Sequence, residues 1–171
     1  MSIFAPDFST DPYWWLDAPP ADSGEPALPE RTDVAIVGSG YTGLAAALAL
    51  ARAGREVLIL EAGRPGQGAS TRNAGNVSRT LKWSFASLAE KHGVERATAF
   101  YREAALAIEH LDEVIRAEQI ACLFKRTGRY YAAHSPRAYE ALSREVEPLR
   151  RHVGYEADMV PRAEQHRHVG T

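Results

Sequence analysis

The chain has 171 residues, 45% of them hydrophobic and 25% charged, an ordinary composition for a globule with a core of its own. A formal net charge of −2 gives no electrostatic case for a nucleic-acid partner, and no run reaches the ~18 consecutive apolar residues of a membrane span. One cysteine, Cys122, excludes an internal disulfide and fits a reducing, cytoplasmic compartment.

Residues 1–31 read as an extended, proline-rich acidic segment. Asp7, Asp11, Asp17, Asp22, Glu25 and Glu30 precede the first basic residue, so the basic start of a secretory signal is missing. Pro6, Pro12, Pro19, Pro20, Pro26 and Pro29 disfavour regular structure. Tyr13, Trp14 and Trp15 are expected to pin the segment to the chain's own surface, a partner's surface being the alternative, because exposed aromatic clusters are rare.

The next stretch, Thr32 to Ala62, organises the rest. Val34-Ala35-Ile36-Val37, bounded by Asp33 and Gly38, predicts a short buried strand, and Leu44 to Ala53 has helix-forming composition. A second strand follows in Glu56-Val57-Leu58-Ile59-Leu60-Glu61. Between strand and helix lies Gly38-Ser39-Gly40-Tyr41-Thr42-Gly43. Gly38 permits the turn, Gly40 lets backbone N–H groups approach a pyrophosphate, and Gly43 lets the helix lie close on the sheet. The helix N-terminus, with roughly half a unit of positive dipole charge, then makes an anion site without a lysine. Ala45, Ala46, Ala47, Ala49 and Ala51 are expected to keep the helix slim against the strands, and Gly54 suits a left-handed C-cap. Glu61 closes the second strand at about the offset, roughly 20 residues, where a carboxylate accepts both hydroxyls of an adenosine ribose. That acid disfavours a 2′-phosphorylated ribose but leaves both FAD and NAD open.

Ala62 to Asn76 has almost no large apolar side chain and cannot bury itself in a core. Its Gly68, Ala69, Ser70, Arg72, Asn73, Ala74 and Gly75 offer amides, hydroxyls and a guanidinium suited to an extended cofactor, a mobile surface loop being the alternative. Beyond Val77 the pattern turns helical. Ser84 to His92 closes at Gly93, and Val94 to Glu118 places Val94, Ala97, Tyr101, Ala104, Ile108, Leu111 and Ile115 on one face. Glu95, Arg102, Glu103, Glu109, Asp112 and Arg116 are expected to form a solvated face. Ile120 to Phe124 and Arg129 to Ala133 read as a hairpin around Lys125-Arg126-Thr127-Gly128. Ser135 and Pro136 open a further helix that Pro148 is expected to limit. Ala157 to Val160 is a candidate strand, with Pro161 starting a short helix.

The run GSGYTGLAAALALARAGREVLILEAGRPGQGASTRNAGN resembles the N-terminus of the D-amino-acid-oxidase superfamily of FAD-dependent oxidoreductases, most closely its gamma-glutamylputrescine oxidoreductase-like branch. The aromatic opening Tyr13-Trp14-Trp15, the proline-rich lead-in and Thr127-Gly128-Arg129 are similar to that branch as well. Three departures stand out: Ser39 and Gln67 replace a common glycine and tryptophan, and Thr71 with Ala74 replace two glycines of the loop. The first is expected to be harmless, and the loop changes are expected to add Cβ atoms at positions suited to unusual backbone angles.

The resemblance implies a Rossmann-like, glutathione-reductase-type α/β unit binding FAD over residues 32–119, and the start of an α+β substrate domain over residues 120–171. It implies FAD held by Gly38, Ser39, Gly40, Tyr41, Thr42, Gly43, Glu61, Ala62 and the named loop residues. It also implies oxidation of a C–N bond of a small-molecule amine or amino acid by hydride transfer to the flavin. Relatives run to more than twice this length, so an N-terminal portion is expected, its uncovered apolar edges calling for the missing C-terminal half or a second copy.

No catalytic residue is assigned. His92, His110, His134, His152, His166 and His168 show no metal-ligand spacing, and Cys122 reads as a small core residue rather than a nucleophile. Within the enzyme class the runner-up is an NAD-dependent dehydrogenase, and the alternative to an enzyme is a dinucleotide-binding remnant or interaction module without turnover.

Overall fold

The computed structural model describes residues 3–21, 24 and 27–169. Asp22, Glu25 and Pro26 of the acidic segment, and the last two residues, lie outside the described residues. The chain divides into two compact units, Met1–Asn76 and Val77–Thr171.

In the first unit a 3-10 turn at Tyr13–Leu16 precedes strand β1 (Val34–Val37), helix α1 (Tyr41–Arg52) and strand β2 (Val57–Leu60). The strands pair in parallel, Val34 opposite Val57 through Val37 opposite Leu60, with α1 as the crossover. Gly38 N–H donates to Leu60 O at 2.8 Å and carries the pairing into the turn. At its far end α1 closes as a Schellman motif, Gly54 N–H bonding Ala51 O and Arg55 N–H bonding Leu50 O, as the glycine there led one to expect.

Two expectations for this unit are corrected. β1 is not a buried strand: its burial alternates and Val37 is 87% exposed, because a two-stranded sheet covers one face at most. Of the five alanines expected against the strands, Ala47 is buried while Ala45, Ala46, Ala49 and Ala51 are exposed.

The second unit is helical. Helices α2 (Phe85–His92), α3 (Val94–Ala117) and α4 (Pro136–Val153) pack around Phe85, Leu88, Ala97, Tyr101 and Leu149, with Leu81, Ala89, Val153 and Tyr155 against them. Gly93 and Ser135 cap where the sequence placed them, and Ser84, read as the first residue of its helix, is the N-cap of α2. Ser84 Oγ accepts from Ser87 N–H, Gly93 ends α2, and Ser135 Oγ accepts from Ala138 N–H with Pro136 in the first turn of α4. The expected apolar stripe of α3 turns Ala97 and Tyr101 fully inward and half-buries Ala104, Ile108, Leu111 and Ile115, while Val94 is exposed.

Four readings in this unit are corrected. Residues 120–133 form no strand, so the hairpin is absent although Gly128 has the positive φ of +74° that was expected. A lone two-stranded ribbon is marginal without a sheet to join. Cys122, expected in a core, is exposed for the same reason. Ala157 to Val160 is likewise irregular, and Pro161 opens a 3-10 helix at Arg162–Arg167. Pro148 does not limit α4, which runs through it to Val153 before Gly154 caps it in the left-handed conformation. Burial of Leu149, the next residue, favours continuing the helix and offsets the hydrogen bond that proline cannot make.

The charged face of α3 is more organised than a solvated stripe. Arg126 grips Glu109 with two bonds of 2.8 and 2.7 Å and reaches Asp112 at 2.9 Å, while Arg116 bonds the same Asp112. The two carboxyls are held below their usual range, Glu109 chiefly by Arg126 and Asp112 chiefly by Arg116.

Candidate functional site: the glycine turn and its acid

The chain leaves β1 through Gly38 at φ +95°, passes Ser39, which is buried, and enters α1 with Gly40 as N-cap. Gly43 sits in the first turn of the helix, where backbone approaches backbone. A Cβ there would stand 2.1 Å from Gly38 O and 3.3 Å from Ile36 Cγ2, so only hydrogen fits. The third glycine therefore does what the motif requires of it. Leu44 N–H is the first bonded back into the helix, to Gly40 O, which leaves Tyr41, Thr42 and Gly43 N–H without an intrahelical acceptor. Tyr41 N–H is met by Ser70 Oγ at 3.1 Å.

Glu61 is aimed at this turn. Its Oε2 accepts from Ser39 N–H at 2.8 Å and from Ser39 Oγ–H at 2.7 Å, and Oε1 accepts from Gly63 N–H at 3.3 Å. The Ser39 amide, then its hydroxyl, then the Gly63 amide bring the carboxyl down to about 2, so it is ionised at neutral pH. Oε1 keeps a lone pair for a further donor. Ser39, which the sequence treated as a harmless replacement of glycine, thus fixes the acid's direction. A serine between two turn glycines, with an acid at the end of the next strand, was the available signal.

The loop beyond is tied down by its own polar groups. Gly68 caps a 3-10 turn at Ala69–Thr71, Thr71 Oγ1 donates to Gly66 O, and Asn73 bridges Ser70 O and Gly75 N–H, both at 2.8 Å. Arg72, expected to offer its guanidinium to a ligand, donates instead to Gln67 O and Thr10 O, each at 2.7 Å. The structure therefore brings Gly38, Ser39, Gly40, Tyr41, Gly43, Glu61 and Ser70 together. Thr42, Ala62, Gly68, Ala69, Ala74 and Gly75 are exposed around them, and Arg72 and Asn73 work within the loop.

The turn fits a dinucleotide. A Cβ on Gly40 would lie 3.1 Å from Ser70 Oγ, tighter than ordinary contact, so the bare position keeps the helix end open, and an ionised acid stands beside it.

The second unit holds an open crevice of about 1070 Å³ lined by residues including Leu81, Tyr101, Arg129, Glu145, Tyr155 and Met159. Its central polar groups are engaged: Glu145 accepts from Phe85 N–H, and Tyr101 donates to Trp83 O at 3.1 Å. Burial first, and then the charge of Glu145, push the Tyr101 phenol up to about 12. His166 and His168 are exposed, and no cluster of metal-ligating side chains occurs among the described residues. No helix there is long and apolar enough to cross a membrane.

The chain is similar to gamma-glutamylputrescine oxidoreductase of Escherichia coli, 37% identical over 58% of this chain and 24% of that protein. It is similar to the probable oxidoreductase OrdL of Haemophilus influenzae, 30% identical over 74% of this chain and 29% of that protein. A probable oxidoreductase OrdL of Rhizobium meliloti is 48% identical over 37% of this chain and 15% of its own length. The chain thus spans less than a third of the curated relatives it matches. No solved structure matches it. The family described as DAO, FAD dependent oxidoreductase, matches residues 33–170, which begin at the first strand and include the glycine turn, Glu61 and the loop. The chain belongs to this DAO family of FAD-dependent oxidoreductases, and FAD is its cofactor.

Proposed function

We propose that this chain is the FAD-holding N-terminal portion of an oxidoreductase that oxidises a C–N bond of a small amine or amino acid, with gamma-glutamylputrescine-like substrates favoured by the relative it resembles. The observation that carries the reading is the turn itself. Glu61 is held by Ser39 toward a bend in which Gly43 leaves no room for a side chain and a Cβ on Gly40 would crowd Ser70 Oγ.

In this reading Gly38 to Gly43 receive the pyrophosphate on the N–H groups of the first turn of α1, whose dipole favours the negative charge. Glu61 accepts one ribose hydroxyl on the lone pair left at Oε1, while Ser39 keeps Oε2 occupied and the carboxylate in place. Ser70 stands over the same helix end, and the backbone of Ala62, Gly68, Ala69, Arg72, Asn73, Ala74 and Gly75 borders the extended cofactor. When bound, FAD supplies the redox chemistry, taking hydride from the carbon that bears the amine. The chain's own part is to bind, orient and exclude competing nucleotides, since the ionised Glu61 repels a 2′-phosphate. We place residues 120–171 with the substrate portion of the parent enzyme and the protein in the cytoplasm. The rest of the parent chain, or a second copy, is the partner that covers the exposed Val37 and Leu60.

The test is spectroscopic. The purified chain should take up FAD and turn yellow, and the loaded parent enzyme should bleach when gamma-glutamylputrescine is added without oxygen. A yellow protein that no amine bleaches would assign this chain to nucleotide binding without turnover.

A further inference from the structure

The aromatic segment and the small-residue loop, far apart in sequence, are joined by specific contacts. Trp14 Nε1–H donates to Asn73 O at 2.8 Å across 59 positions of chain. The same indole stands over Gly75, whose φ is +70°, so closely that a Cβ there would come within 3.0 Å of Trp14 Cζ2. Arg72 anchors the loop to Thr10 O, and the Arg64 guanidinium lies 4.3 Å from the centre of the Trp15 ring. Trp14 is still 38% exposed, so burial of its ring is only part of its role. Its polar edge is spent on the backbone of the loop, where an indole N–H needs a partner.

These contacts converge on one place. Asn73, whose carbonyl takes the Trp14 bond, also donates through its side chain to Ser70 O, and Ser70 Oγ faces Tyr41 N–H at the start of α1. A path of three hydrogen bonds therefore runs from the indole to the helix end. We propose that Trp14 is a positioning residue for FAD: through Asn73 and Gly75 it fixes the small-residue loop so that Ser70 is presented to the N-terminus of α1. This rests on the assignment of that helix end to the cofactor. The aromatic segment is then part of the cofactor site and not merely a cover for the surface.

Two variants of the 171-residue chain test it, Trp14→Ala and Trp14→Phe, the second keeping an aromatic ring but no N–H. FAD titration reads affinity, and tryptic cleavage after Arg72 in the absence of FAD reads whether the loop is held; Arg64 precedes a proline and resists the same protease. Trp14→Ala should weaken FAD binding and speed cleavage after Arg72 each by about tenfold, the scale of one lost hydrogen bond with its ring packing, and Trp14→Phe should recover part of both. Wild-type FAD affinity in both variants overturns the proposal, whatever the cleavage rate, because the segment is then structural only. A wild-type chain that binds no FAD overturns the cofactor reading itself, a result separate from the behaviour of the variants.

Discussion

Val37 is 87% exposed in its strand, whereas Phe85 is 2% exposed in its helix, and the contrast runs through both units. In the first unit the buried places belong to small residues, Ser39 and Ala47 among them, and order comes from hydrogen bonds and backbone approach at Gly38, Gly43, Glu61 and Asn73. In the second, Phe85, Leu88, Tyr101 and Leu149 exclude water from one another. Burial of apolar area stabilises a unit by itself, while a lattice of polar contacts with little core gains much from a ligand that binds the folded form. The first unit is thus built to receive something, and the second to stand on its packing.

The largest effect expected is on the packed unit. Phe85→Ala should cost about 4 kcal/mol, the usual scale for deleting a buried aromatic ring, measured as a lower urea midpoint of the helical signal. The first unit should break differently. Gly43→Ala puts a methyl 2.1 Å from Gly38 O, a backbone atom that cannot rotate away, so it should cost about 3 kcal/mol and abolish FAD uptake together. If Gly43→Ala is neutral, the close approach of α1 to the turn is wrong. A smaller effect belongs to Ser135→Ala, which removes the acceptor for Ala138 N–H at the start of α4 and should lower stability by about 1 kcal/mol without touching FAD affinity.

Acid should separate the units as well. The folded Glu61 carboxyl lies at about 2 against an ordinary value of 4.5. A carboxyl depressed on folding contributes stability that is complete above the ordinary value and is lost as pH falls from 4.5 through 2. Glu61→Gln should remove that acid-sensitive share of the first unit's stability, seen as a flatter dependence of its denaturant midpoint on pH. An unchanged slope would mean that the bonds from Ser39 do not persist in solution.

How much of this was legible depended on how local each feature is. The strand, glycine turn, helix and second strand were readable because Gly38 to Gly43, the alanine run and Gly54 act on their immediate neighbours. The caps Gly93 and Ser135 work over three or four residues in the same way. The hairpin at 120–133 was misread because apolar runs become strands only with partners from elsewhere in the chain, and none is supplied among the described residues. Pro148 was misread because packing of Leu149 overrides a local breaker. The glycine positions and the acid of the site were visible, but the bond that aims Glu61 was not read: Ser39 and Glu61 are 22 residues apart, and the serine between the turn glycines was its local sign. Trp14 was visible as an anchor, while its acceptor at Asn73 was not.

The measurement that bears most directly on the account is titration of the 171-residue chain with FAD and with NAD, followed by flavin absorbance and by competition, beside Gly40→Val. The expectation is a yellow protein that takes FAD in preference to NAD and loses it in Gly40→Val, whose side chain enters the space beside Ser70 Oγ. A colourless chain that takes up NAD, or a Gly40→Val variant that holds FAD as the wild type does, would contradict it.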